Sequence, residues 1–378
     1  TASNNTAIGR AALVSCNGSN NTALGFYAGQ SISTGTDNVV IGYNAAIAIT
    51  TAIQNTAIGA LAADALTTGN YNTAVGYNAY GAATTGTFNM AFGNQAMGGG
   101  VVTGARNTAC GNSALYDLTT GSDNIAIGYD ASANITTGGS NIAIGRGALD
   151  ACTTGDLNVA IGHQALSAQT GQGYNTAVGG NSMQANNGGN YNVAVGRQSM
   201  YANTTGSENV AVGYDALVAN TTGDYNTCVG ADAGKGVTTG SYNTCMGRDA
   251  GQSITTGSNN VCLGPNSNDA ANTTYVVAVG NFAASANQSN SIVAIGYYAM
   301  RNNTTGVQNT AVGYYSMDQN TTGQRNTSLG YESLKNNTTG NYNTALGNYA
   351  LRLSNSSYNC AVGDYALAAL TTGGSNTA

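Results

Sequence analysis

The sequence predicts an all-β protein, a parallel β-solenoid (β-roll) of about 22 coils of roughly 17 residues each. Three observations lead to this fold class: a short phrase recurs at a fixed step, an apolar residue keeps a fixed place in it, and turn residues separate the copies. The phrase reads NTAVG at residues 72–76, and its closing glycine recurs 22 times. Of the 21 intervals between these marker glycines, sixteen equal 17, four equal 16 and one equals 18. Such a step indicates one structural unit per copy, stacked on the next.

The composition of the phrase favours strands and turns over helices. Counting from the marker glycine as position 0, position −1 is apolar in all 22 copies, position −2 is Ala in 17 and position −4 is Asn in 20. Asn, Thr, Val and Gly are poor helix formers, and the recurring Thr-Thr-Gly near position +10 is typical of turns. We therefore expect each coil to contain two short strands and two tight turns.

The bulk composition limits the domain organisation and the partners. No composition shift or linker divides residues 1–378, so we expect a single continuous repeat array, cut from a longer fibre. Charged residues are 7% of the chain and its net charge is −6, which argues against a nucleic-acid partner. No apolar run approaches the roughly 18 residues of a membrane span, so no membrane insertion is expected in this segment.

Alternation along the strand divides each phrase between two faces. Positions −3 and −1 share one face, and positions −4, −2 and 0 share the other. Neither face carries charge, although a wet sheet face normally does. We therefore expect one face to line the roll and the other to meet a second copy of the chain, with Val195, Val212 and Val229 as representative −1 residues. The variable positions +1 and +2 then form the wet side.

The asparagine column at position −4 predicts a side-chain ladder. In a parallel stack each amide can donate to the asparagine one coil away, which satisfies polar groups and fixes register. Capping of the backbone turn is the competing role, and the sequence does not separate the two. Representative ladder residues are Asn72, Asn192, Asn209, Asn226 and Asn243.

Longer phrases resemble repeats of known fibre proteins. NVAVGYDALVANTTG at residues 209–223 and NTAVGYYSMDQNTTG at residues 309–323 are similar to repeats of phage and virus fibres and to the head repeats of trimeric autotransporter adhesins. The resemblance covers nearly the whole chain. It implies a left-handed parallel β-roll, a homotrimer, and display on a cell or virion surface, where a receptor or glycan is bound. The adhesin repeat is shorter and lacks the Thr-Thr-Gly turn.

Three cysteines share position −2 on consecutive coils: Cys228, Cys245 and Cys262. Free buried thiols and a disulfide are both compatible with the spacing of stacked coils. A metal site would need further His or Cys in phase, and none is present, so no metal or other cofactor is expected. Three aspartates at position +2 form a short acidic column, but the calcium-binding β-roll phrase is absent. The one histidine, His163, lies at variable position +1 and is expected at the surface.

Two further polar columns suggest surface roles. Triplets of the N-x-S/T kind precede Thr-Thr-Gly, where an exposed turn would offer glycosylation acceptors, although Asn and Thr are also ordinary turn residues. These are Asn203, Asn220, Asn303, Asn320 and Asn337. Threonine fills position +9 in 16 of 22 copies, which raises ice binding as a remote alternative.

The functional hypothesis is a structural fibre or adhesin segment on an extracellular or virion surface, which gives reach and attachment. The alternative is a self-assembling extracellular filament or matrix protein. No group of titratable residues recurs or converges, so we expect no enzyme and no catalytic residues. Altered coils are expected at residues 264–296, where the asparagine column fails at Val276 and Ile292, and at Gly98–Gly100.

Overall fold

A computed structural model describes residues 2–171 and 173–378 of the chain, and it is all-β. No helix occurs in these ranges. Contacts group the chain into two compact units, residues 1–191 and 192–378, with eleven strands in each. This agrees with the predicted solenoid, because each repeat of the sequence supplies one coil.

The strands of the first unit each occupy positions −3 to −1 of a repeat. Their bounds are β1 Thr6–Ile8, β2 Thr22–Leu24, β3 Val39–Ile41, β4 Thr56–Ile58, β5 Thr73–Val75, β6 Met90–Phe92, β7 Thr108–Cys110, β8 Ile125–Ile127, β9 Ile142–Ile144, β10 Val159–Ile161 and β11 Thr176–Val178.

The second unit repeats the pattern, with two strands extended by one residue. Its strands are β12 Val193–Val195, β13 Val210–Val212, β14 Thr227–Val229, β15 Thr244–Met246, β16 Val261–Leu263, β17 Val276–Val279, β18 Ile292–Ile295, β19 Thr310–Val312, β20 Thr327–Leu329, β21 Thr344–Leu346 and β22 Cys360–Val362.

Consecutive strands within each unit pair in parallel and in register. Ala194 faces Ala211 and Val195 faces Val212, and Val212 in turn faces Val229. The same residue type therefore meets itself one coil later. Each coil returns the chain to the start of the next strand, which is the definition of a solenoid.

The expectation of two strands per coil is wrong, because each coil has one. Residues at positions −5, +2 and +4 adopt left-handed φ angles, as at Asp215 (φ 52°), Leu217 (φ 51°) and Tyr225 (φ 58°). Left-handed residues at these positions interrupt the extended backbone and so prevent a second strand in the coil. Hydrogen bonds between coils continue through the turns, for example from Leu217 N to Ala233 O at 3.0 Å and from Thr204 N to Thr221 O at 2.9 Å. They offset a conformation that is unfavourable by roughly 1–2 kcal/mol for a residue with a Cβ.

The interior of each coil is filled by small and medium side chains. Outside the first and last coils, position −2 is buried, as at Ala194 and Ala211, and so is the residue at position +4, as at Leu149 and Leu166. At Tyr80 a tyrosine occupies this inner position, and its hydroxyl accepts a hydrogen bond from Asn89 Nδ2 at 2.7 Å. The apolar and polar inner positions together form a narrow core that runs through each unit.

The marker glycine allows the coils to approach closely. A Cβ built on Gly162 would lie 2.5 Å from the carbonyl oxygen of Gly179, one coil away, and the φ of Gly162 is +134°. Both the left-handed backbone and the close carbonyl exclude a side chain here. This explains why the glycine never varies between copies.

The predicted irregularity near residues 264–296 is present. In β17 and β18, Val276 and Ile292 replace the usual asparagine and extend the strand to four residues. Both side chains are buried. Near Gly98–Gly100 the coil is one residue longer than its neighbours, and the turn that follows β6 ends at Met97, which is the altered turn expected there.

Candidate functional site

The asparagines at position −4 form a continuous inner ladder over several consecutive coils. Nδ2 of Asn209 donates to Oδ1 of Asn192 at 3.2 Å, Asn226 to Asn209 at 3.1 Å, and Asn243 to Asn226 at 3.0 Å. In the first unit Asn72 Nδ2 donates to Oδ1 of Asn55 at 3.1 Å. All of these side chains are buried. The predicted ladder is therefore part of the core.

The same amides also cap the turns, so both roles left open by the sequence are filled at once. Nδ2 of Asn226 donates to the carbonyl of Gly240 at 2.9 Å, and Nδ2 of Asn192 donates to that of Gly206 at 2.9 Å. The backbone N–H of Asn226 donates to Oδ1 of Asn209 at 2.9 Å. Each asparagine thus ties its own strand, the previous coil and the following turn together.

The side chains at positions −3 and −1 lie on the outer face of each strand. Val195 is 37% exposed, and Val212 and Val229 are half-buried. Other −1 residues are more exposed, including Ile8 at 59% and Phe92 at 53%. We call this row the outer strand face, defined as positions −3 and −1 of β1–β11 and of β12–β22. One strand face was predicted to line the roll. In the structure it is the face that carries Asn at position −4 and Ala at position −2.

The expectation that the N-x-S/T asparagines are exposed is wrong. Asn203, Asn220, Asn303, Asn320 and Asn337 are fully buried at position +7. Nδ2 of Asn320 donates to Oδ1 of Asn303 at 2.6 Å and to the carbonyl of Gly323 at 3.0 Å. The amide nitrogen that a glycan would modify is therefore enclosed in the folded chain.

These asparagines build a second inner ladder, which the sequence interpretation missed. Asn220 Nδ2 donates to Oδ1 of Asn203 at 2.8 Å, and Asn337 Nδ2 to Oδ1 of Asn320 at 2.9 Å. The other residues at position +7 could have indicated burial from the sequence. Leu66, Leu118 and Ile135 occupy this position in the first unit and are buried. A position that holds Asn in some coils and Leu or Ile in others is typical of the interior.

The three aligned cysteines are buried free thiols, stacked in register on β14, β15 and β16. Space for the sulfur atoms of Cys228 and Cys245 comes from glycines at position +4, whereas Asn268 holds that position beside Cys262. A Cβ at Gly234 would lie 2.4 Å from Cys228 Sγ, and one at Gly251 would lie 2.6 Å from Cys245 Sγ. The hydrogen bond with Cys228, together with burial, raises the pKa of the Cys245 thiol well above its ordinary value. The thiolate needed for nucleophilic or metal chemistry is therefore disfavoured.

Cations neutralise much of the short acidic column at position +2. Lys235 Nζ lies 2.8 Å from Asp232 Oδ1 and 3.9 Å from Asp215 Oδ2, and Arg248 Nε lies 3.0 Å from Asp249 Oδ2. In residues 2–171 and 173–378, no group of three or more His, Cys, Asp or Glu side chains is arranged to hold a metal ion.

The histidine and the second threonine of each Thr-Thr turn, which the sequence also singled out, lie at the surface. His163 is exposed, and its Nδ1 lies 3.3 Å from Oδ1 of Asn181. In the Thr-Thr turns the first hydroxyl is used internally: Thr67 Oγ1 donates to the carbonyl of Thr84 at 3.0 Å, while Thr68 is exposed. Only one of the two threonine columns therefore directs its hydroxyls outward.

Across the part of the chain that the structure describes, there is no helix with the length and apolar character of a membrane span.

Comparison with known proteins leaves the family open. No protein-family model matches the sequence, and no curated protein matches it. The architecture is a parallel β-solenoid, and its recurring features are the outer strand face and the inner ladders.

Proposed function

We propose that this chain is a structural segment of a fibre or adhesin, displayed on an extracellular or virion surface, and that copies of it associate along the outer strand face. The observation that carries the proposal is the contrast between the two strand faces. The inner face is hydrogen-bonded and buried, whereas the outer face presents half-exposed Val, Ile, Leu, Met and Phe in a repeating register. Thr fills eleven of the 22 −3 positions, while the row at position −1 is apolar in every coil. Exposed apolar rows of this kind mark interaction sites.

The size of the face supports a second copy of the chain as its partner. Eleven strands spaced by about 4.8 Å extend roughly 50 Å, and three residues span about 10 Å, which gives about 500 Å² for one unit. Exposed tyrosines beside the strands, such as Tyr225 and Tyr242, enlarge this area. The total approaches the roughly 800 Å² that each partner contributes to a stable complex. A periodic face is also self-complementary, because every coil offers the same groups.

The absence of charged residues on the outer strand face also supports a second copy of the chain as its partner. The outer strand face contains no Asp, Glu, Lys or Arg, so bringing two copies together buries no unpaired ion. The number of copies is taken from the resemblance, which favours a trimer. Positions +1 and +2, where residue type changes between coils, are then left for contact with a receptor or glycan.

The mechanical part of the proposal follows from the ladders. Pulling one coil from the next breaks backbone bonds at every coil, together with the first amide ladder in most coils and the second ladder where position +7 is Asn, so the load is shared by many bonds. A slip by one residue would turn the inner Asn and Ala side chains of a strand to the outer face and break its ladder bonds at once. These features suit a segment that provides reach.

Labelling of intact source particles tests the functional proposal. Antibodies against the folded chain should bind intact cells or virions and mark surface projections in electron micrographs. Labelling that appears only after the particles are opened would contradict a surface fibre. Filaments formed by the purified chain alone, without surface labelling of the particles, would favour the self-assembling matrix alternative.

A further inference from the structure

The second unit contains a connected run of aromatic rings that the proposed function does not use. Tyrosines occupy position +1 in three consecutive coils, at Tyr297, Tyr314 and Tyr331. The rings of Tyr297 and Tyr314 are stacked with centroids 5.2 Å apart and planes at 17°. Those of Tyr314 and Tyr331 are 5.3 Å apart and parallel, at 0°. We call these three residues the tyrosine column.

Ring contacts extend the column sideways at position +2. Tyr297 contacts Tyr298 at 4.2 Å, and Tyr314 contacts Tyr315 at 4.5 Å. Tyr331 contacts Tyr349 at 5.3 Å. Within the described residues, Tyr314 alone is stacked between two other tyrosines. An oxidising equivalent that enters any of these rings has a ring neighbour to which it can pass.

The exposure of the tyrosine column suits oxidation at the surface. Tyr314 is 43% exposed and Tyr331 is 40% exposed, so their ring edges reach solvent. The hydrogen bond with Tyr298, followed by burial and neighbouring tyrosines, raises the pKa of Tyr297 to about 12. The Tyr297 phenol is therefore protonated at neutral pH, and its oxidation removes an electron and a proton together.

We propose that the tyrosine column is a site of oxidative cross-linking, where a peroxidase-type one-electron oxidant couples Tyr314 to Tyr297 or Tyr331 on the adjacent coil. Each phenol loses one electron and one proton to form a phenoxyl radical. Two radicals join through a carbon–carbon bond between ring carbons ortho to the oxygens. Loss of the two ring protons to the phenoxyl oxygens restores both phenols. One hydrogen peroxide takes up the two electrons and two protons and becomes two waters.

The coil geometry explains why adjacent coils are the coupling partners. Neighbouring strands lie about 4.8 Å apart, and the parallel rings place equivalent ring edges side by side at that spacing. Partly exposed side chains can rotate to bring two ortho carbons together. The product is a covalent link between coils already joined by hydrogen bonds. It closes a loop the length of one coil in the unfolded chain and so lowers the entropy of that state.

Treating the dilute, folded full-length chain with a peroxidase and limiting hydrogen peroxide tests the proposal. Dityrosine fluorescence, a denaturing gel and peptide mapping are the measurements. We expect links within single chains that join the Tyr314 peptide to that of Tyr297 or Tyr331. We also expect the cross-linked chain to unfold at a higher urea concentration. Tyr314→Phe keeps the ring but removes the phenol, so these links should be lost.

Two matched variants separate proximity from exposure. Tyr214 also lies at position +1, is 48% exposed, and has Arg197 rather than a tyrosine beside it. Tyr214→Phe should leave the links at Tyr314 unchanged. The double variant Tyr297→Phe with Tyr331→Phe keeps Tyr314 and its neighbour Tyr315 but removes the stacked partners on the adjacent coils, and should lose the links between coils as Tyr314→Phe does. The stacked pair Tyr225 and Tyr242 remains in every variant as an internal reference.

Three results would overturn the proposal. The first is an absence of dityrosine in the folded wild-type chain. The second is a set of links that join Tyr214 as often as Tyr314, because exposure alone would then explain the reaction. The third is a set of links formed only between different chains, because stacking between coils would then have no part in it.

Discussion

At the scale of the residue, single asparagines hold the coils together. Asn260 is fully buried, and its Nδ2 donates to Oδ1 of Asn243 at 2.9 Å and to the carbonyl of Thr273 at 2.7 Å. Its Oδ1 accepts from the backbone N–H of Val276 at 3.1 Å. One side chain therefore satisfies groups in three coils, and no apolar residue can replace it without leaving polar groups unpaired.

Replacing Asn260 by Ala should lower the free energy of unfolding by about 3 kcal/mol, because hydrogen bonds are lost and buried partners are left unsatisfied. Asn281→Ala is the matched control, since Asn281 is exposed at position +1 and lies outside the left-handed positions. It should change stability by less than about 0.5 kcal/mol. Urea unfolding followed by circular dichroism measures both. Equal losses for the two variants would contradict the role of the ladder.

The second prediction concerns an acid held by two cations. Burial alone would raise the pKa of Glu332, but Lys335 Nζ at 2.9 Å and Arg352 Nε at 2.8 Å hold the pKa below its ordinary value. A lowered folded-state pKa contributes stability that is present above the unfolded-state pKa and is lost as pH falls through the folded-state pKa.

Glu332→Gln should therefore reduce stability near neutral pH by about 1 kcal/mol, the size of a partly exposed ion pair. The difference between wild type and variant should shrink as the pH falls below the ordinary pKa of a glutamic acid. Unfolding curves at several pH values measure it. A difference that stays constant down to acid pH would show that the charge of Glu332 does not stabilise the fold.

At the scale of the element, one coil is a three-residue strand followed by turns with left-handed residues. The sequence predicted the strand at N-T-A-V-G and the existence of turns, because periodicity and turn chemistry are local signals. It did not predict that non-glycine residues such as Leu217 would be left-handed, or that one strand per coil would result. Those angles are imposed by hydrogen bonds to the adjacent coil, which only the stacked structure supplies.

The two asparagine ladders also show how far the sequence predicts the structure. The first ladder was predictable, since asparagine is almost invariant at position −4. The second was mistaken for exposed turns, because Asn followed by Thr-Thr is also a typical turn sequence. Burial of Asn203 and Asn320 depends on the turn folding inward, where the carbonyls of Gly206 and Gly323 accept from the amides.

Two glycine positions test the close approach of coils. Gly162→Ala should destabilise the chain by at least about 2 kcal/mol, because its Cβ would lie 2.5 Å from the Gly179 carbonyl oxygen at a φ of +134°. Gly180→Ala should be nearly neutral, since a Cβ there meets no atom within 4 Å. Thermal unfolding compares the two. Near-wild-type stability of Gly162→Ala would contradict the packing of the marker glycines.

At the scale of the whole molecule, the question is what covers the outer strand face. Val195, Val212 and Val229 face one another on adjacent strands and are only partly buried in a single chain. Replacing all three by Asp should leave each chain folded. It should prevent association, because an interface would enclose charges that cost several kcal/mol each. Circular dichroism and sedimentation separate the two effects.

The inner face supplies the control for that triple variant. Ala194→Leu with Ala211→Leu places larger side chains at fully buried positions and should destabilise the fold by about 1–3 kcal/mol per site. Loss of folding in the aspartate variant, with none in the leucine variant, would show that the two faces are exchanged. An aspartate variant that associates like wild type would show that the outer strand face is not the interface.

The native mass of the purified wild-type chain tests the central claim most directly. One chain has a mass of 37.7 kDa. If copies associate along the outer strand face, native mass spectrometry should give a whole-number multiple of that mass, with three copies expected from the resemblance. The aspartate variant should return to the mass of one chain. A wild-type mass of 37.7 kDa at micromolar concentration would contradict the account, because the outer strand face would then be a free surface.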